Sequence, residues 1–201
     1  FEGSEALEVR DGHDGATLRC AGGTVRCAAV VLATNGYAGR LTPWHAERVD
    51  PTRGQVLATA PVRPGLFDRP IYASHGFEYW RQLPTGEIVL GGWRNLDFSG
   101  ERGIENALND RIQATMEASL RRLHPALRDL VVTDRWSGIM GFSRDSLPAV
   151  GPLPGRPTLI SAAGFTGHGF GFSVASGRIV ADLLARGTNP WSDLLAPRRL
   201  D

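Results

Sequence analysis

Apolar positions fall in short runs through the first third of the chain. "ALEVRD", "ATLRCA" and "TVRCAAVVLAT" are broken by Gly and Asp, which predicts a β-meander. The last run closes in "AAVVLAT", the unbroken apolar stretch expected of a strand covered on both faces. "NGYAGRLTPW" leaves it as a loop. Further on, "RGQVLATAP" predicts a strand, and "GFEYWRQL" and "EIVLGGW" predict a hairpin turning at "PTG". Then the period changes. Ile104, Leu108, Ile112, Met116 and Leu120 recur at every fourth position, and Ala107 and Leu123 widen the same face. That spacing predicts a helix over 104–123, ended by His124-Pro125. "DLVVTDRW" returns to strand. "SGIMGFSRDSLPAVGPLPG" is rich in turn residues, and "PTLISAAG" reads as a buried strand. A last helix runs from about Gly169 to Arg186, with Gly187 as its stop and Pro190 just beyond. "WSDLLAPRRLD" is expected to be a partly mobile tail. No repeat or low-complexity segment interrupts the pattern.

This pattern predicts an α/β chain of mixed α+β type. Three regions are expected: 1–52, 53–135 and 136–201. The length of 201 residues suits one or two domains with a real core. A net charge of +1 gives no bias toward nucleic acid, and no apolar run is long enough to span a membrane as a helix. The opening "FEGSEALEVRDG" lacks a Met and reads like the middle of a domain, so a fragment or processed chain is expected. In "TLRCAGGTVRC" a hairpin turning at Gly22-Gly23 sets Cys20 opposite Val25 and leaves Cys27 on the diagonal. Diagonal partners lie about 7–8 Å apart, too far for a comfortable disulfide. Two free thiols suit a reducing compartment, and a cytoplasmic protein is expected.

The candidate chemistry centres on "GFTGHGFGFS", residues 164–173, between a strand and a helix. Glycines at 164, 167, 169 and 171 bring bare backbone to a helix start, where N–H groups and the dipole favour an anion or a partly negative oxygen. The spacing fits neither the dinucleotide fingerprint nor the P-loop, and no Lys is near, so a phosphate cradle is weakly supported. A tight strand-to-helix turn with close packing explains the glycines equally well. His168 with Ser143 or Ser146 and Asp145 has the residue types of a hydrolase triad, but there is no G-x-S-x-G elbow. The five His residues are scattered, and no pair has metal-ligand spacing.

Three stretches together resemble a known family. "VVLATNGYAGRL" resembles the strand and loop that return to the cofactor in two-dinucleotide-fold flavoproteins. "YWRQLPTGEIVLGG" resembles the substrate-domain hairpin of the D-amino-acid oxidase superfamily of FAD-dependent oxidoreductases. "WSGIMGFSRDSLPAVGPL" followed by "LISAAGFTGHGFGFSVASGRIVADLL" resembles that superfamily's C-terminal flavin-binding segment, and the glycine, sarcosine and γ-glutamylputrescine oxidase-like branches fit best. The resemblance implies that the glycine loop lies beside the isoalloxazine ring. Backbone N–H groups of Gly167, His168, Gly169 and Phe170 would then face the negative charge the ring gains on reduction. Gly164, Phe165 and Thr166 belong to the same loop. Thr34, Asn35 and Gly36 match the loop passing near the cofactor. Arg53 and Gln55 match the crossing strand. Gly138, Ile139, Met140 and Gly141 match the stretch along the ring.

Members with covalent flavin place a Cys in that last stretch. Met140 cannot form the thioether, so noncovalent FAD is expected. The Lys that holds a substrate carboxylate in sarcosine-oxidase-like members is Gly171 here. Arg53, Arg81, Arg94 and Arg144 are possible replacements. Without that Lys, amines fit better than amino acids; Tyr79, Trp80 and Trp93 lie on the hairpin, at most one of Tyr79 and Trp80 facing a site, and either they pack the sheet or they form an aromatic wall suited to a neutral or cationic amine, with Tyr79, Trp93 and Met140 as pocket candidates. The resemblance thus implies oxidation of a CH–NH bond, with O₂ or another acceptor taking the electrons. It also implies that 1–52 and 136–201 are parts of one two-dinucleotide-fold FAD-binding domain around a substrate domain over 53–135, with a missing N-terminal half bearing the G-x-G-x-x-G unit, sheet edges left open, and weak FAD binding by this fragment alone. The alternative is a noncatalytic, cofactor-free binding or assembly module of the same fold.

Overall fold

A computed structural model describes residues 1–201. In chain order its strands are β1 (Ala6–Gly12), β2 (Gly15–Cys20), β3 (Gly23–Cys27), β4 (Val30–Leu32), β5 (Val49–Thr59), β6 (Ile71–Ala73), β7 (Glu78–Gln82), β8 (Ile88–Gly92), β9 (Val132–Ser143), β10 (Ala149–Leu153) and β11 (Arg156–Ala163). Its α-helices are α1 (Pro43–Arg48), α2 (Asp110–Leu123), α3 (Gly169–Arg186) and α4 (Ser192–Leu195). The chain folds as two compact units, 1–51 with 140–201, and 52–139. No helix is long and apolar enough to cross a membrane.

In the first unit, β1, β2 and β3 form the antiparallel meander, and β10-β11-β4 form a second sheet in which β11 and β4 run parallel. The unbroken apolar run of β11 follows from what covers its two faces. Leu159 packs toward the meander with Val9, Ala16, Val30, Leu32 and Leu153. Ile160 and Ala162, on alternate positions, pack with Ile179 and Val180 of α3 and Leu195 of α4. Gly187 ends α3 in the left-handed conformation at φ 74°, donating its N–H to Leu183 O.

In the second unit the strand order is β6-β7-β8-β5-β9, with β5 and β9 continuing across the unit boundary. Ile112, Met116 and Leu120 of α2 pack on Leu57, Ile88 and Leu90 of the sheet. The alternation of β7 puts Trp80 on this core side and Tyr79 on the other.

Several expectations change. The helix begins at Asp110, not Ile104. Asn109 caps it, its Oδ1 accepting from Ile112 N at 3.2 Å, while Ile104 and Leu108 lie exposed in the preceding loop. The meander turns at Ala21-Gly22, so Gly23 faces Cys20, Val25 faces Leu18 and Cys27 faces Ala16. Both thiols are free. The segment after β4 is a 3₁₀ helix (Asn35–Arg40) followed by α1, whose N-cap Thr42 accepts from His45 N. The turn-rich segment 137–155 contains the end of β9, where Phe142 bridges the distant Phe165, and all of β10, which pairs antiparallel with β11 directly after it. The C-terminal tail is folded: α4 and a 3₁₀ turn (Pro197–Leu200) bury Leu195, Pro197 and Leu200.

Candidate functional site

The glycine loop leaves the end of β11, next to the loop that leaves the parallel strand β4. Asn35 joins them. It sits in the left-handed region at φ 44°, and its Oδ1 accepts from Gly164 N at 3.1 Å and Phe165 N at 3.3 Å. The end of β9 clamps the other side. Phe142 bridges Phe165, Thr166 N donates to Gly141 O at 2.7 Å, and Ser143 N donates to Thr166 Oγ1 at 3.2 Å. Gly141 must be glycine, since a Cβ there would stand 2.7 Å from Asn35 Oδ1 and 3.0 Å from Gly36 N. Asn35, Gly164, Phe165, Thr166 and Gly141 therefore form one bonded cluster, with Gly36 packed against Gly141. Thr34 precedes it, and its carbonyl accepts from Tyr37 N at 2.9 Å.

The front of the loop differs. Gly164, Thr166 and Gly167 take φ 75°, 51° and 78°, a run of left-handed backbone of the kind that gathers at functional sites. His168 Nδ1–H donates to Thr166 O at 2.8 Å, which turns the ring back along the loop. The first bond closing α3 runs from Phe172 N to His168 O, so the N–H groups of Gly169, Phe170 and Gly171 precede the intrahelical ladder. Phe170 is fully exposed. A Cβ on Gly167 would meet only Met140 Sδ at 3.7 Å and Phe142 Cζ at 4.0 Å, and one on Gly171 nothing within 4 Å. Backbone donors at a helix start thus stand along an edge with room for a flat group.

The residues of a hydrolase triad do other work. Ser143 Oγ donates to Leu147 O at 2.8 Å. Asp145 accepts Arg199 Nε at 2.7 Å; burial pushes its carboxyl up, and Arg199 and the Leu147 N–H more than offset that. This pair fastens the folded C-terminus. Ser143 with Thr166 carries no signal in the sequence, because the two stand 23 positions apart and meet only through the strand bridge.

In the second unit, Arg53 spends its donors internally. Its Nε and Nη2 reach both carboxylate oxygens of the fully buried Glu101 at 3.2 Å, Nη2 donates to Gly100 O at 2.6 Å, and Nη1 to Glu105 O at 2.9 Å. Gln55 Nε2 and Asn109 Nδ2 also donate to Glu101, each at 2.9 Å. Gly138 and Ile139 lie half-buried in β9. Trp93 is 7% exposed and belongs to the core with Leu90 and Met116. Tyr79 lies on the opposite face, where its ring edge covers Gly91: a Cβ there would be 2.5 Å from Tyr79 Cε2. Burial raises the Tyr79 phenol and lowers the nearby Arg94 guanidinium, whose Cζ lies 4.6 Å over the Phe77 ring. Arg81 is exposed, and Arg144 donates to Glu47 O at 2.9 Å.

Comparison with known proteins agrees with this geometry. A family profile described as FAD dependent oxidoreductase (DAO) matches residues 1–183. The chain is 27% identical to a probable oxidoreductase OrdL of Rhizobium meliloti, over 97% of this chain and 44% of that protein. It is 29% identical to glycine oxidase of Pseudomonas aeruginosa, over 92% and 49%. Among solved structures, L-proline dehydrogenase from P. horikoshii superposes with a TM-score of 0.80 at 22% identity, covering 98% of this chain and 53% of that one. Glycine oxidase from Geobacillus kaustophilus does so with 0.79 at 24%, covering 94% and 50%. The chain spans about half the length of the proteins it matches.

Proposed function

Because the chain belongs to the FAD dependent oxidoreductase family, we propose that residues 164–170 hold the isoalloxazine end of FAD in an enzyme that oxidises the CH–NH bond of an amine or amino acid. The observation that carries this reading is the open start of α3, where backbone donors meet the unobstructed surface of Gly167 and Gly171. The helix start presents about half a positive charge to whatever lies there, and fixed backbone donors need no reorganisation to stabilise negative charge as it develops. Asn35 and Gly141 hold the loop from behind, so its donors keep one direction. Thr34 and Gly36 supply further backbone around the cofactor. FAD, when bound, supplies a hydride acceptor whose electrons can pass on to O₂. Met140, beside Gly167, offers no nucleophile for a thioether, so the cofactor is held noncovalently.

Tyr79 and Arg94 are the substrate-side candidates of the second unit. An aromatic hydroxyl and a half-buried guanidinium suit the carboxylate of an amino acid better than a simple amine. Arg53, with four of its bonds directed at Gly100, Glu101 and Glu105, instead steadies the loop before α2. Trp93 contributes core packing beneath Tyr79's sheet. Support for CH–NH chemistry comes from relatives named as glycine oxidases.

The test uses the polypeptide encoded by the native reading frame, purified with its flavin. Glycine, sarcosine, other N-methyl and D-amino acids, and diamines are added without oxygen. At least one is expected to bleach the flavin absorbance, and admitting air is expected to yield peroxide. Bleaching by none of them overturns the CH–NH assignment. Acid precipitation is expected to release the flavin; yellow colour staying with the pellet overturns noncovalent binding.

A further inference from the structure

The meander turns an apolar side to the core and a charged side to solvent. Val9, Ala16 and Leu18 pack inward. The alternation therefore points Glu8, Arg10, Thr17, Arg19, Thr24 and Arg26 outward. The register sets these residues in two rows. Glu8 faces Arg19, which faces Thr24; Arg10 faces Thr17, which faces Arg26. Side chains directly opposite have Cβ atoms about 4.5–5.5 Å apart, and diagonal neighbours about 7–8 Å. Thr17 thus has an arginine on either side of it across the sheet and another two residues along its own strand.

Three guanidiniums share this face with one carboxylate. Glu8 Oε1 accepts from Arg10 Nε at 2.6 Å, and Glu8 Oε2 accepts from Arg19 Nε at 3.1 Å. Those bonds, the one from Arg10 most, hold the Glu8 carboxyl below its ordinary range. They leave the Nη groups of both arginines uncommitted. Arg26 has no ion-pair or hydrogen-bond partner. The other acids of the meander are turned elsewhere. Asp11 accepts from Thr158 N at 3.2 Å on the inner side, and Asp14 lies beside His13 in the β1–β2 turn. Like charges this close repel one another, and nothing in the fold relieves them. Glu8, Arg10, Thr17, Arg19 and Thr24 line a cavity of about 190 Å³, open to solvent and larger than one water needs.

We propose that this face of the meander binds a phosphate group carrying two negative charges. Guanidinium forks match phosphate oxygens bidentately, and the Thr17 and Thr24 hydroxyls stand between them as further donors. Three cations opposed by one anion leave the charge that a dianion neutralises. Size narrows the ligand class. Three strands span about 10 Å, and the two rows about 7 Å. That seats one phosphate or a diphosphate and is too short a track for nucleic acid. The phosphate belongs either to a free phosphorylated compound or to a lipid headgroup. None of these residues belongs to the glycine loop or its clamp, so the inference does not rest on the flavin or the reaction.

The test is arginine labelling with phenylglyoxal on the polypeptide from the native reading frame, each modified position being read by peptide mass. Glycerol phosphate is added at constant ionic strength. At about 10 mM, Arg10, Arg19 and Arg26 are expected to react about 5-fold more slowly, as a millimolar Kd requires, while the exposed Arg63 and Arg81 keep their rates. Arg19→Gln is expected to remove the protection of Arg10 and Arg26; if that variant fails to fold, the unsubstituted protein still decides. Phosphatidylcholine vesicles with and without phosphatidic acid separate the two sources. Co-sedimentation and stronger protection with phosphatidic acid assign a lipid headgroup, and protection by glycerol phosphate without co-sedimentation assigns a free compound. Rates unchanged by either ligand overturn the proposal. So does equal protection by sodium chloride at the same ionic strength, and so do three arginines that already label slowly before any anion is added, because protein then covers the face. Absence of flavin with this protection intact would count against the functional reading alone.

Discussion

His45 is a base kept neutral by where it lies. Its side chain is fully buried, Nδ1 lies 2.6 Å from Thr42 Oγ1, and Nε2 lies 2.9 Å from Ser161 Oγ. Ser161 gives its only proton to Ala149 O at 2.8 Å, so Nε2–H must donate to Ser161 and Nδ1 must accept from Thr42. Burial pushes the imidazole from its ordinary 6.5 down to about 4. Above pH 6.5 the ring is neutral whether the chain is folded or not, and the full stability is present. Below that the unfolded chain takes up a proton that the fold refuses, so stability falls between pH 6.5 and about 4. The loss is expected to reach about 3 kcal/mol, at 1.36 kcal/mol per pKa unit. Denaturant midpoints measured across this range check it, and His45→Gln is expected to flatten the slope. Gly141 is the second sensitive position. Gly141→Ala drives a methyl into Asn35 Oδ1 and Gly36 N and is expected to cost about 1–3 kcal/mol by overpacking. Because Asn35 Oδ1 accepts from Gly164 N and Phe165 N and so fixes the glycine loop, flavin affinity is expected to fall in the same variant, read by equilibrium dialysis.

The stretch before α2 owes its shape to polar atoms, not to apolar ones. Glu101 is fully buried and Arg53 nearly so, and their pairing ties the start of β5 to the loop over 100–109. Glu101→Gln leaves the guanidinium buried without its counter-charge and is expected to destabilise the protein by about 3–5 kcal/mol. Replacing both residues by Met is expected to cost clearly less than that single change; thermal unfolding of the two variants compares them. Met116→Ala, on the buried side of α2, is expected to cost about 2–5 kcal/mol as a cavity. These contacts also explain what the residue pattern conceals. Ile104 and Leu108 share the period of Ile112, Met116 and Leu120, yet helix and loop part at Asn109, whose side chain reaches Asp97 and Glu101. Periodicity registers apolar spacing and is blind to such polar anchors. The span of α3 was legible, by contrast, because both its limits are local: a glycine loop before it and a left-handed glycine after it. Strand β10 was hidden by its own residues, since "AVGPL" carries the Gly and Pro that read as turn, although it pairs with the strand directly after it.

Half of the glycine loop could be read before the fold was known, and half could not. Glycines at 164 and 167 announce themselves by type, and the structure gives them positive φ. Asn35 gained its place by resemblance alone, and only the fold shows it bonded to Gly164, 129 positions away. The first unit is built from both ends of the chain. A protein with this much open surface is expected to hold FAD poorly as residues 1–201 alone. Flavin co-purifying in equal amount with that fragment, by absorbance, would contradict this. The same discontinuity sets an order of events during synthesis. Residues 52–139 form a unit whose whole sequence leaves the ribosome well before β11 does, so it can fold while translation continues. The meander and β4 emerge before that unit but acquire the β11 side of their core after it. For the time it takes to make more than a hundred residues, Val30 and Leu32 have no partner strand on that side. Residues 1–51 are thus left to chaperones and proteases for longer than residues 52–139, and substitutions that make 1–51 stickier should lower yield without lowering the stability of the finished protein.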